Sequence, residues 1–152
     1  MDEKLITPFL ESTLYVLQTI AGIEAEKGKP YLKKDNVARG DMSGVIGLTG
    51  DMNGILSVTF TEKCILHIVS GMLGKEMKEV NEEICDAVGE IANMISGQAR
   101  KKLAEQGTNL AAAIPSVIMG KDHKISHLTK QPIIALPFST AGGEFTVEIC
   151  FE

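Results

Sequence analysis

Hydrophobic residues near the start of the chain, Leu5, Phe9, Tyr15, Val16, Ile20 and Ile23, recur at mixed three- and four-residue steps. This spacing predicts a helix over about 5–24, with Pro8 early enough to be tolerated in its first turn. Gly28 to Asp41 is polar, with Pro30 near its start, and reads as a connection. Met42 to Thr49 and Gly54 to Phe60 are rich in apolar and β-branched residues and flank Gly50-Asp51-Met52-Asn53-Gly54, which predicts a hairpin. On its second arm Leu56, Val58 and Phe60 alternate with Ser57 and Thr59, so one face is expected to be buried and the other less so.

Thr61 is placed to cap a short helix whose apolar positions are Ile65, Ile68, Val69, Met72 and Leu73 and whose stop is Gly74. Asn81 is placed to cap the longest element, a helix running to about Gln106 and ending at Gly107. Three strands follow, Ile114 to Met119, Ile133 to Ser139 and Glu144 to Phe151, the last two joined at Ala141-Gly142-Gly143. Phe145, Val147, Ile149 and Phe151 should share one face of the final strand. Gly22 and Pro30 are eight apart, as are Gly107 and Pro115, so both long helices stop and re-enter a strand after the same interval. The expected architecture is α+β: a largely antiparallel sheet against long helices, in two repeated helix-plus-strands halves forming one domain over 1–152.

Charge narrows the function classes. Twenty acidic against 15 basic residues leave a net charge of −5 with no block of Lys and Arg, a field that disfavours nucleic acid and anionic membrane. Cys64, Cys85 and Cys150 are odd in number and widely spaced, giving neither a disulfide framework nor zinc spacing. An acidic start, Met1-Asp2-Glu3-Lys4, and the absence of a bilayer-length apolar run point to a cytoplasmic protein. With no Trp and two Tyr, the core is expected to be aliphatic.

On the long helix Ile84, Val88, Ile91, Ile95 and Ala99 form one stripe, which must face the sheet. The opposite face carries Asp86, Glu90, Asn93 and Gly97. Asn is a mediocre helix former, and Gly89 and Gly97 each cost about 1 kcal/mol in a helix interior. Glycines beside Glu90 and Asn93 suit close approach by another molecule, although Gly89, nearer the side of the helix, could instead admit an element of the same chain.

The stretch Asp86-Ala87-Val88-Gly89-Glu90-Ile91-Ala92-Asn93-Met94-Ile95-Ser96-Gly97 resembles the signature helix of the CheC/CheX/FliY phosphatases of bacterial chemotaxis, whose active motif is Glu-x-x-Asn on an outward face. The likeness extends through Ser43 to Gly54, through Met72-Leu73-Gly74 and to the closing strands. CheC-type members carry a second motif on the first helix; here Glu11 is followed three later by Leu14, and an 85-residue repeat sets Leu5 and Pro8 opposite Glu90 and Asn93. The resemblance is therefore to the single-motif CheX type.

That resemblance implies a phosphatase acting on the aspartyl phosphate of a phosphorylated CheY-type response regulator. Asn93 would orient the attacking water, Glu90 would pair with the regulator's active-site lysine, and Asp86 and Gly97 would share the docking face. It implies no cofactor or metal on this chain, Mg²⁺ on the regulator, and a homodimer through joined sheets, for which the edge of Glu144 to Phe151 is a candidate. The alternative is a non-catalytic dimeric binding module resembling a flagellar-switch adaptor. A small-molecule sensor is less favoured, since no convergent polar pocket is visible.

Other constellations read as structural. His123 and His127, four apart, fall in the polar connection Gly120 to Lys130 and are expected in a solvated loop; His67 is expected to be partly buried. The glycines of residues 40–54 lack a Gly-Lys-Ser/Thr ending and read as hairpin glycines, while Ser96 and Ser126 have no His and Asp arrangement around them.

Overall fold

The structure is a computed structural model and describes residues 2–125 and 132–152. The helices form where the apolar spacing places them: α1 (Glu3–Ala21), α2 (Glu62–Leu73) and α3 (Glu82–Glu105). Thr61 Oγ1 accepts from the Cys64 amide and Asn81 Oδ1 from the Ile84 amide, satisfying first-turn donors that otherwise have no partner. α1 begins two residues before the expected start, so Pro8 lies in its second turn, and Tyr15, one of the hydrophobic residues whose spacing predicts the helix, is 55% exposed.

Among the described residues eight strands form one antiparallel sheet: β1 (Glu26–Lys27), β2 (Tyr31–Lys33), β3 (Met42–Gly50), β4 (Gly54–Phe60), β5 (Leu110–Ala112), β6 (Ser116–Met119), β7 (Ile133–Thr140) and β8 (Gly143–Phe151). β8 and β4 meet in the middle; β7 flanks β8 and carries β1 and β2, while β3 flanks β4 and carries β5 and β6. Each half thus contributes a helix, two short edge strands and a hairpin, as the repeat predicts. The repeated intervals have matching uses: Gly22 and Gly107 turn the chain at positive φ of 65° and 91°, and Pro30 and Pro115 immediately precede the edge strands β2 and β6.

Three expectations are corrected. Gly28 to Asp41 is not all connection, because it contains β2; two- and three-residue strands paired on one side leave no alternation to read. The strand expected over 114–119 begins at Ser116, since Ile114 is 89% exposed and β5 is a separate strand upstream. β8 is interior, paired to both β4 and β7, so Glu144 to Phe151 offers no sheet edge.

Helices cover one face of the sheet. Phe9, Leu17, Ile46, Leu56, Phe60, Ile65, Ile91, Phe145 and Ile149 belong to a single buried cluster between them. The far face is also covered, contrary to the alternation on β4, every residue of which is buried. Segments 34–41 and 120–125 run together there, joined by Ala38 N–H to His123 O at 2.7 Å and Ile125 N–H to Asn36 O at 2.9 Å. Beneath them Lys33 Nζ meets Glu148 Oε2 at 2.7 Å, with both side chains under a tenth exposed, and also donates to Val37 O.

Breaking a buried ion pair on one side leaves an uncompensated charge. Lys33→Met should therefore cost about 3–5 kcal/mol of unfolding free energy, and Lys33→Met/Glu148→Leu should recover most of it. Urea unfolding of the two variants checks this; equal losses would mean that the pair is not the source.

Candidate functional site

The site is set by how α3 lies on β3. An added Cβ at Gly44 would stand 2.8 Å from Ala92 Cβ and 2.9 Å from Val88 O, so helix and strand approach as closely as small residues allow. That contact fixes the rotation of α3. Ile84, Val88, Ile91, Ile95 and Ala99 are all buried, as the stripe predicts, and Ala92 joins them. Asp86, Glu90 and Asn93 are consequently exposed, and Gly97 is half-buried on the same side.

Glu90 and Asn93 stand one turn apart on solvent, and neither side chain has a partner among the described residues. A carboxylate offers only acceptors, while a carboxamide offers both acceptor and donors. The pair can therefore bind a cation at one end and bridge a water and an oxyanion at the other. Beside it, α1 runs antiparallel to α3 with Glu11 and Lys102 at 4.0 Å. A cleft of about 280 Å³ opens between the helices, lined by Tyr15, Val16, Thr19, Met94, Gly97 and Gln98.

The two helix glycines separate. Gly89 is buried beneath the chain's own β6 segment, where an added Cβ would lie 3.4 Å from Val117 Cγ2 and 4.0 Å from Pro115 Cγ. It therefore serves internal packing, not an outside molecule. Gly97 meets only Arg100 Nη2, at 3.9 Å. Arg100 itself escaped the sequence reading, although its signal was present: it follows Asn93 by seven residues on one face and Ser96 by four.

The remaining candidates take structural places. His123 is not a solvated spectator: Nδ1 bonds Gly120 O at 2.6 Å and Nε2 bonds Ser43 Oγ at 2.7 Å, tying the far-face cover to β3. His127 and Ser126 lie outside the described residues. His67 is half-buried against Gly142. Ser96 is buried and accepts from Arg100 Nε. Burial pushes the Cys64 thiol up to about 11, against a hydrogen bond with Thr140 and helped by the nearby Glu144 carboxylate, so this thiol stays protonated and inert. The Cys85 thiol donates to Met119 Sδ at 3.2 Å. Among the described residues no three His, Cys, Asp or Glu side chains are grouped to hold a metal, and no helix is long and apolar enough to cross a membrane.

Comparisons with known proteins agree on one family. The model of the family described as Chemotaxis phosphatase CheX matches residues 42–139. The CheY-P phosphatase CheX of Thermotoga maritima is 30% identical over 145 residues, covering 95% of this chain and 92% of that protein. The crystal structure of a chemotaxis protein CheX from Desulfovibrio desulfuricans is 53% identical, spans 97% of this chain and 99% of that one, and superposes with a TM-score of 0.90. A chain of the CheX-CheY-BeF3-Mg²⁺ complex from Borrelia burgdorferi is 26% identical, with 97% of each chain covered and a TM-score of 0.82.

Neither helix glycine has a positive φ or a hard clash waiting. Gly89→Ala and Gly97→Ala should each stabilise the protein by up to about 1 kcal/mol, or about 2–4 °C in Tm. Thermal unfolding checks both; a marked loss in Gly89→Ala would show that β6 cannot accommodate the methyl group.

Proposed function

The chain belongs to the CheX family of chemotaxis phosphatases, and from that premise we propose that it hydrolyses the aspartyl phosphate of a CheY-type response regulator from the outward face of α3. The observation that carries this reading is the exposed, unengaged pair Glu90 and Asn93 on a helix whose rotation is locked by the Gly44 contact. In the reaction a water oxygen bonds phosphorus as the bond from phosphorus to the aspartyl oxygen breaks. The electron pair leaves on the regulator's carboxylate, inorganic phosphate departs, and the released proton passes to phosphate or solvent.

Such chemistry is limited by position and electrostatics. Asn93 Oδ1 accepts from the attacking water while its amide donates to a phosphoryl oxygen, holding the two in line. Glu90 pairs with the regulator's lysine and fixes the docked helix. Asp86 and Gly97 extend the same contact face. Mg²⁺ belongs to the regulator's acidic pocket, as substrate-side chemistry, and this chain supplies no cofactor. Leu5 is half-buried and Pro8 buried at the places equivalent to Glu90 and Asn93, so the chain carries one such pair.

The same reading takes residues 1–152 as one cytoplasmic CheX-like domain that works as a homodimer. The sheet edge that supports a dimer is β6, paired among the described residues with β3 alone and bearing Met119, 52% exposed. Light scattering at micromolar concentration should give twice the chain mass; a monomer would count against it.

Asn93→Ala should lower regulator dephosphorylation by roughly 10²-fold or more while binding and folding survive. Asn93→Gln displaces the amide and Asn93→Asp sets a negative charge beside the phosphoryl group, so both should also fail. Near-normal turnover in Asn93→Ala under saturating protein would return the chain to the adaptor class. Glu90→Lys should weaken binding and turnover together, because it brings two cations face to face. An unchanged affinity for the phosphorylated regulator would remove Glu90 from the docking role.

A further inference from the structure

Arg100 is one of two arginines in the chain. The other, Arg39, is paired with Asp35 at 3.1 Å. Arg100 has no carboxylate partner among the described residues; its Nε donates to Ser96 Oγ at 3.1 Å, and its Nη2 lies over Gly97. Ser96 is fully buried in mid-helix, flanked on the buried side by Ala92 and Ala99. For packing alone alanine would serve there, since it forms helix better and carries no polar group to satisfy. The hydroxyl instead pins the base of the guanidinium and leaves its outer nitrogens open.

Seven residues place Arg100 two turns beyond Asn93 on the same face, about 10 Å along the axis. Helical side chains lean toward the N-terminus, so the guanidinium stands nearer Asn93 than its Cα does. Gly97, between them, keeps the intervening surface low. The face thus runs from Asp86 and Glu90 through Asn93 to Arg100 and Lys101, acidic at one end and basic at the other.

We propose that Arg100 is a docking residue that takes an acidic side chain of the regulator at the rim of the interface, preset by Ser96 as its positioning residue. This rests on the reading of the Asn93 face as the surface that meets the regulator. The phosphoryl group is held at the Asn93 amide, and the guanidinium lies beyond it, which favours a rim carboxylate over a phosphoryl oxygen. A partner surface basic at one end and acidic at the other would then dock in a single direction along α3. Holding the guanidinium beforehand lowers the ordering cost of the contact.

The test uses a CheY-type regulator phosphorylated with acetyl phosphate for turnover, and the same regulator loaded with beryllofluoride and Mg²⁺ for binding. Arg100→Gln should raise KM and Kd about 5-fold or more at low salt, flatten their salt dependence, and hold kcat within about twofold. Arg100→Lys should recover part of the affinity. Ser96→Ala should weaken binding in the parent protein and add nothing in the Arg100→Gln background. Circular dichroism and Tm establish that the variants are folded. Unchanged Kd and salt slope in Arg100→Gln overturn the proposal. So does a fall in kcat at constant KM, which would put the guanidinium on the reacting group. An additive Ser96→Ala effect removes its positioning role. If the parent protein binds the regulator in an Arg100-dependent way yet does not speed hydrolysis, the proposed function fails and the docking inference stands.

Discussion

Everything outward-facing on α3 depends on the approach of Ala92 and Val88 to Gly44. A side chain at Gly44 would collide with Ala92 Cβ and the Val88 carbonyl, so only glycine lets the helix settle this deeply on β3. Close-packed interiors have discrete arrangements, not a continuum. With Ala92 seated, Asn93 is turned to solvent and Glu90 lies one turn behind it. The contact is internal to the fold, yet it determines which way the Asn93 position faces.

The pseudo-repeat sets α1 in the place corresponding to α3, where Leu5 and Pro8 stand for Glu90 and Asn93. β1 and β2 occupy on β7 the places that β5 and β6 occupy on β3, and α1 is the counterpart of α3. The two halves nevertheless spend their outward turns differently. α1 buries Pro8 and half-buries Leu5, and its exposed Tyr15 helps wall the cleft beside Met94 and Gly97. The first helix has become a flank for the second, which explains why a symmetric framework presents an asymmetric surface.

Much of this was legible in the chain because helices bury a single stripe, and stripe phase dictates what is left outside. Glu90, Asn93 and Asp86 follow directly from Ile84, Val88, Ile91 and Ile95. The far face was not legible, because it depends on partners distant in sequence: Lys33 and Glu148 are 115 residues apart, and His123 reaches back 80 to Ser43. Nothing in the alternation of β4 announces a cover built from segments 34–41 and 120–125. Gly89 and Gly97 look alike in sequence and differ only in their neighbours, Val117 for one and the Arg100 guanidinium for the other. The Ser96 to Arg100 bond requires a particular side-chain path, which spacing alone does not specify.

The role proposed for Asn93 needs a fixed point of attachment, and the middle of the longest helix supplies one. On either side of Asn93 along the helix, Ile91, Ala92, Ile95 and Ser96 are all buried. Moving the Asn93 backbone therefore means moving four core residues, whereas a loop residue could shift at almost no free-energy cost. The same logic extends along the helix: Arg100 is exposed enough to meet a partner, but its Nε is held by a hydroxyl that is itself locked in the core. Precision on the surface is inherited from burial one residue away, so the helix can present a rigid pattern of charge without a pocket of its own.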